Sequence, residues 1–142
     1  MSYHCNIGTI AFMLRVKTKL GQSEKEGIGL FADEFVPAGT VTWHFDPEFD
    51  AAFDESAVAR VPEHVRGQFL KYSYFDHTLG KYILCSDDQR FINHSDAPNI
   101  LSTPERDVAS RDIKQGEEMT CDYTKYEPGW FERRGIKRED FK

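Results

Sequence analysis

A chain of 142 residues with 39% hydrophobic and 30% charged side chains has the make-up of one globular domain and excludes a disordered or low-complexity class. Its net charge of -6 argues against a nucleic-acid backbone as direct partner, because phosphate binding runs on Lys and Arg, and it suits a basic peptide or a cationic small molecule. No apolar run approaches the ~20 residues of a membrane span, and the N-terminus has no secretion signal. Cys5, Cys85 and Cys121 are widely separated, which indicates neither a disulfide framework nor a zinc site. The expected setting is intracellular and soluble: cytoplasmic in a prokaryote, nuclear as the eukaryotic alternative, with no membrane partner.

In chain order, Ala11–Lys17 and Ile28–Ala32 read as strands around a polar turn at Leu20–Gly27. Pro37-Ala38-Gly39 is a turn, and Thr40–Phe45 alternates as another strand. Asp54–Tyr72 is the helical region: Asp54 can cap its first part, Pro62 can begin a second, and Val65, Phe69 and Tyr72 recur at helical spacing. Gly80 divides Tyr72–Phe75 from Lys81–Cys85, a hairpin pattern. Arg90–Asn99 is a polar loop, followed by strands at Asn99–Thr103 and Val108–Arg111. Gly116 turns into a last strand, Glu117–Tyr123. The tail from Thr124 mixes aromatics with charges and is partly helical. The fold class is therefore mainly β with a helical insertion (α+β). It forms a single domain over 1–142, with a core of about 12–124 and a tail, 125–142, that can close a site.

Between Lys25 and Arg60 there is no Lys or Arg, while Glu26, Asp33, Glu34, Asp46, Glu48, Asp50, Asp54 and Glu55 are acidic. A solvated surface is the commoner meaning of such a run; the functional one is an acidic wall beside a site for a basic peptide.

Three segments carry the chemistry: Gly27–Ala32 (GIGLFA), Arg90–Asn99 (RFINHSDAPN) and Ala109–Tyr123 (ASRDIKQGEEMTCDY). Each has a bland alternative. The glycines suit a turn and do not complete a GxGxxG fingerprint. Asn93-His94-Ser95 also fits a glycosylation sequon, and Tyr123 suits a core tyrosine. Together, in this order, they resemble the SET-domain family of protein-lysine methyltransferases, in a compact form without cysteine-rich zinc modules.

That resemblance implies small β-sheets with a C-terminal pseudoknot that brings Asn93-His94 to Tyr123. It implies transfer of methyl groups from S-adenosyl-L-methionine to the ε-amine of a lysine in a protein or peptide, basic and histone-like. Gly27, Ile28, Gly29, Arg90, Asn93 and His94 would bind the cofactor, and Trp130 of the tail would pack on adenine or on the lysine stem. Tyr123 would be catalytic, aligning the amine and closing a channel whose other candidates are Tyr72, Tyr74, Tyr82 and Cys121. In the family the residue two before the matching tyrosine is often Phe or Tyr, so Cys121 implies a roomier pocket. No metal is expected, since the histidines show no ligand spacing. A homodimer partner is an alternative source of the lid. The competing functions are an inactive SET-like peptide-binding module and a methyltransferase acting on a small amine.

Overall fold

A computed structural model describes residues 13–141. Among the described residues, eleven short strands form three small sheets. The first sheet holds β1 (Met13–Leu14), β4 (Val41–His44), β10 (Arg106–Ala109) and β9 (Ile100–Ser102), in that spatial order. The second holds β2 (Thr18–Gln22), β3 (Ile28–Ala32), β11 (Glu118–Cys121) and β8 (Asn93–His94). The third holds β5 (Ala51–Phe53), β7 (Lys81–Leu84) and β6 (Ser73–Asp76). The helical insertion between β5 and β6 is α1 (Glu55–Ala59) and α2 (Glu63–Tyr72); the tail carries a one-turn helix, α3 (Trp130–Arg134).

The alternating pattern located most strands, and their limits differ for local reasons. Ala11 and Phe12 lie outside the described residues. The stretch expected as a turn at Leu20–Gly27 is strand over its first three residues, because Thr18–Gln22 pairs along the whole of β3, and Ser23–Gly27 reverses the chain. Asp54 stands at the start of α1 but caps nothing; its carboxylate pairs instead with Lys81 Nζ at 2.6 Å. Gly80, with φ +67°, turns the β6–β7 hairpin through a backbone region that L side chains rarely adopt.

Two apolar clusters fill the interior. Leu30, Val36, Ile100, Ile113 and Met119 belong to the larger, and Trp43, Tyr74, Ile83 and Cys85 form the smaller. Leu14 and Tyr126 pack against both. The last strand makes the site possible. β11 is antiparallel to β3 on one side and parallel to β8 on the other, so the C-terminal strand enters between segments laid down much earlier. The Asn99 side chain locks it: Asn99 Nδ2 donates to Glu118 O at 2.9 Å and Thr120 N donates to Asn99 Oδ1 at 2.9 Å. This is the small-sheet architecture with a C-terminal pseudoknot that the family resemblance implied. Among the described residues, no helix is long and apolar enough to cross a membrane.

Candidate active site

The glycine turn is built by close approach. Gly27 has φ +50°, and a Cβ on Gly29 would collide with the Glu118 carboxylate. Glu118 is held there by Ser23 Oγ, which donates to it at 2.7 Å, and by Asn93 Nδ2 at 3.2 Å. Asn93 Nδ2 also donates to Glu26 O at 2.8 Å and Ile28 O at 3.1 Å, so its buried amide shapes the turn from below. Lys71 reaches across from α2: its ammonium pairs with Glu26 and lies 3.6 Å from where a Gly27 Cβ would be.

The parallel register sets Cys121 opposite His94, and Ser95 N donates to Cys121 O at 2.9 Å. In a parallel ladder one residue bonds to both neighbours of its opposite number, so the backbone N–H and C=O of His94 point away from β11. The ring of His94 is fully committed. Its Nδ1 accepts from Tyr123 N at 3.1 Å and its Nε2 lies 2.8 Å from Asp96 Oδ1, an arrangement that places the ring proton on Nε2. Arg138, and after it His94, hold the Asp96 carboxyl below the usual carboxylate range.

Tyr123, 4% exposed, donates from Oη to Ile92 O at 2.6 Å, and its ring centroid lies 4.4 Å from that of Trp130. Burial pushes its phenol well above its ordinary range, so the group keeps its proton. Tyr123, Tyr72, Tyr74 and Arg90 line a common cavity of about 40 Å3, together with Trp43, Tyr126, Gln89 and Asp107. The Tyr74 hydroxyl is anchored to Pro104 O at 2.9 Å.

Several expected site residues stand elsewhere. Tyr82 does not line the cavity; it packs against Phe75 of the hairpin and Phe69 of α2. Cys121 is fully buried in the core and also misses the lining, with Tyr126 beside it. Trp130 is 1% exposed, covered by Tyr123 and by the Arg134 guanidinium at 4.3 Å, so its indole has no free face for adenine or a lysine stem. The guanidinium of Arg90 is spent on main-chain carbonyls of Cys85, Ser86 and Asp87. The acidic run is partly consumed too: Asp46 and Asp50 cap nearby backbone N–H groups, and Asp54 and Glu26 pair with lysines.

Lys71, Gln89 and Asp107 were not foreseen. A lysine on a polar helix face, a glutamine in a loop and an acid in a short strand carry no motif. Only the tertiary pairing brings them to the cavity.

Comparison with known proteins bears on the same residues. A family model described as SET domain matches residues 27–124. Histone-lysine N-methyltransferase SETMAR of Rattus norvegicus is 28% identical over 142 residues, covering 85% of this chain and 44% of that protein. SETMAR of Mus musculus is 30% identical over 124 residues, covering 72% and 38%. The chain thus spans less than half the length of these curated relatives. Among solved structures, a chain of apo ctPRC2 with substitutions in Ezh2 matches with a TM-score of 0.63 at 24% identity, covering 84% of this chain and 16% of that one. A chain of an active polycomb repressive complex 2 in the basal state gives 0.59 at 24%, covering 76% and 15%. At these identities the structural likeness is one of fold.

Proposed function

This chain belongs to the SET-domain family, and from that premise we propose that it transfers methyl groups from S-adenosyl-L-methionine to the ε-amine of a lysine in a protein substrate. One observation carries the reading: the β8–β11 pairing joins Tyr123 to His94, and Tyr123 lines an aromatic-walled cavity shared with Lys71, whose ammonium pairs with Glu26 of the glycine turn. An inactive scaffold has no need of that convergence.

The donors present suit the cofactor. The turn at Gly27–Gly29 admits close approach to main chain, and the Lys71 ammonium beside it offers a cation to a carboxylate in exchange for Glu26. The His94 N–H and C=O form a donor–acceptor pair of the kind an adenine edge requires. Asn93 acts on the cofactor through the turn that it braces. When bound, S-adenosyl-L-methionine supplies a methyl group activated by the adjacent sulfonium.

The remaining work falls to the protein. A lysine amine must shed its proton, which at pH 7 costs about 4.6 kcal/mol for an unperturbed group. Aromatic walls lower that cost by removing water from the ammonium. Tyr123 keeps its own proton and is tied to Ile92 O, so it orients the nucleophile and does not deprotonate it. The rate gain then comes from holding amine and methyl in line. The overall charge of -6 favours a basic protein such as a histone as substrate.

Peptide mass spectrometry of core histones incubated with the protein and S-adenosyl-L-methionine tests this reading. Methyl increments confined to lysine-bearing peptides are expected; unmodified lysines throughout would count against it.

A further inference from the structure

Asp107 is the carboxylate among the cavity's lining residues, and methyl transfer as described above gives it no task. It is 3% exposed, lies in the cavity that Tyr123 lines, and accepts a hydrogen bond from Gln89 Nε2 at 2.6 Å. Three further lining residues present buried polar atoms without a hydrogen-bond partner among the described residues: Trp43 Nε1, Ser73 Oγ and Gln89 Oε1. Buried polar atoms are as a rule satisfied. A cavity of about 40 Å3 has room for two or three waters, at ~10–15 Å3 each. A wet path from Tyr123 to Asp107 satisfies both facts.

Of the titratable groups around Asp107, Tyr74 on β6, Cys85 after β7, Cys121 on β11, Tyr123 and Tyr126 hold their protons through burial, and Lys71, Tyr72 and Arg90 share the cavity lining without carrying a carboxylate. Ser102, its partner on β9, and Trp43, its partner on β4, carry no charge. Asp107 is therefore, among the described residues, the one carboxylate of this wall. Burial pushes its carboxyl up to about 7, against the hydrogen bonds that favour the charged form. A proton acceptor works best at such a value near neutral pH.

We propose that Asp107 receives, through water in this cavity, the proton that the substrate ammonium gives up before methyl transfer. The inference rests on the methyl-transfer reading above. One N–H bond of the ammonium breaks and leaves its electron pair on nitrogen. The proton passes along water to a carboxylate oxygen. The nitrogen pair then bonds the methyl carbon, and the carbon–sulfur pair departs with sulfur. The carboxylic acid releases its proton to solvent before the next turnover.

The test is the pH dependence of kcat/KM for labelled-methyl transfer to core histones between pH 6 and 9.5. With a carboxylate acceptor the wild type rises to about pH 7 and then levels, since it uses the abundant ammonium form. Asp107→Asn must wait for amine already neutral, so its rate climbs about tenfold per pH unit across the range and lies tenfold or more below wild type at pH 7. Gln89→Met removes the bond that favours the carboxylate, and shifts the wild-type break to higher pH while keeping the level stretch. A purely structural role lowers rates at every pH without changing the profile. An Asp107→Asn profile with the wild-type break and plateau overturns the inference alone, as does an unmoved break in Gln89→Met. Absence of any label with wild type overturns the methyl-transfer reading, and this inference with it.

Discussion

Tyr123 has two bonds to the strand β8 region, and each fixes a different property. Its N–H on His94 Nδ1 fixes where the backbone leaves β11, and its Oη on Ile92 O fixes the direction of the hydroxyl. The ring packs in the core against Trp130 and Phe131. Cys121 tells a different story. Its small size invites the expectation of a wide channel, yet the thiol is sealed in the core and Tyr126 occupies the ground beside it. For the proposed methyl transfer, the residue placed to limit how many methyl groups fit is then Tyr126, which lines the cavity and sets its ring edge-on to Tyr74 at 5.1 Å. Tyr126→Ala should shift the product toward di- and trimethyl-lysine by intact mass, at a stability cost of roughly 2–4 kcal/mol for a large-to-small change. An unchanged methyl distribution would put the limit elsewhere. Tyr123, Asn93 and His94 were legible because their residue types and order are specific. Tyr82 and Trp130 were misplaced because an aromatic residue reads alike whether it walls a site or fills a core.

At the scale of elements, the tail is held by a buried ion pair. Glu127 is fully buried and accepts from Arg134 Nη1 at 2.7 Å, Arg133 Nε at 2.8 Å and Phe75 N at 2.7 Å. Arg134 continues to Leu70 O at 2.6 Å and Ser73 O at 3.1 Å, so one guanidinium ties the tail to the end of α2 and the start of β6. Tyr72, Ser73 and Tyr126 of the cavity wall lie next to these anchors. Removing one partner of such a pair leaves the other charge buried and unmatched. Arg134→Met should cost about 3–5 kcal/mol in denaturant unfolding, whereas Arg133→Ala, whose side chain is partly exposed, should cost about 1 kcal/mol or less. Equal losses for the two would contradict this division. Helical residues Val65, Phe69 and Tyr72 were recognisable by spacing, and the β6–β7 hairpin by Gly80. The parallel β8–β11 pair was not readable from periodicity: each strand is very short, and its partner lies far along the chain. Only the family resemblance anticipated it.

Across the whole molecule, the sheets act as a frame that lets distant short segments meet at one cavity. The glycine turn hangs between β2 and β3, His94 and Tyr123 meet through β8 and β11, and β6, α2 and the tail wall the cavity. The acidic surplus survives as a general field favouring basic partners. Several of its carboxylates have local tasks in caps and ion pairs, which favours the commoner reading of the run as surface over that of a dedicated wall. The mainly β class with its helical insertion was legible from strands and breakers; the identities of the cavity's polar residues were not, because burial and pairing decide them.

The most direct measurement compares wild type with Tyr123→Phe in transfer of labelled methyl groups from S-adenosyl-L-methionine to core histones. The substitution keeps the ring in its packing and removes only the hydroxyl that Ile92 O orients. Loss of one preorganised hydroxyl should lower the rate by roughly a hundredfold or more, with cofactor binding by calorimetry preserved. Transfer at the wild-type rate by Tyr123→Phe would contradict the role given to Tyr123 at the centre of this site.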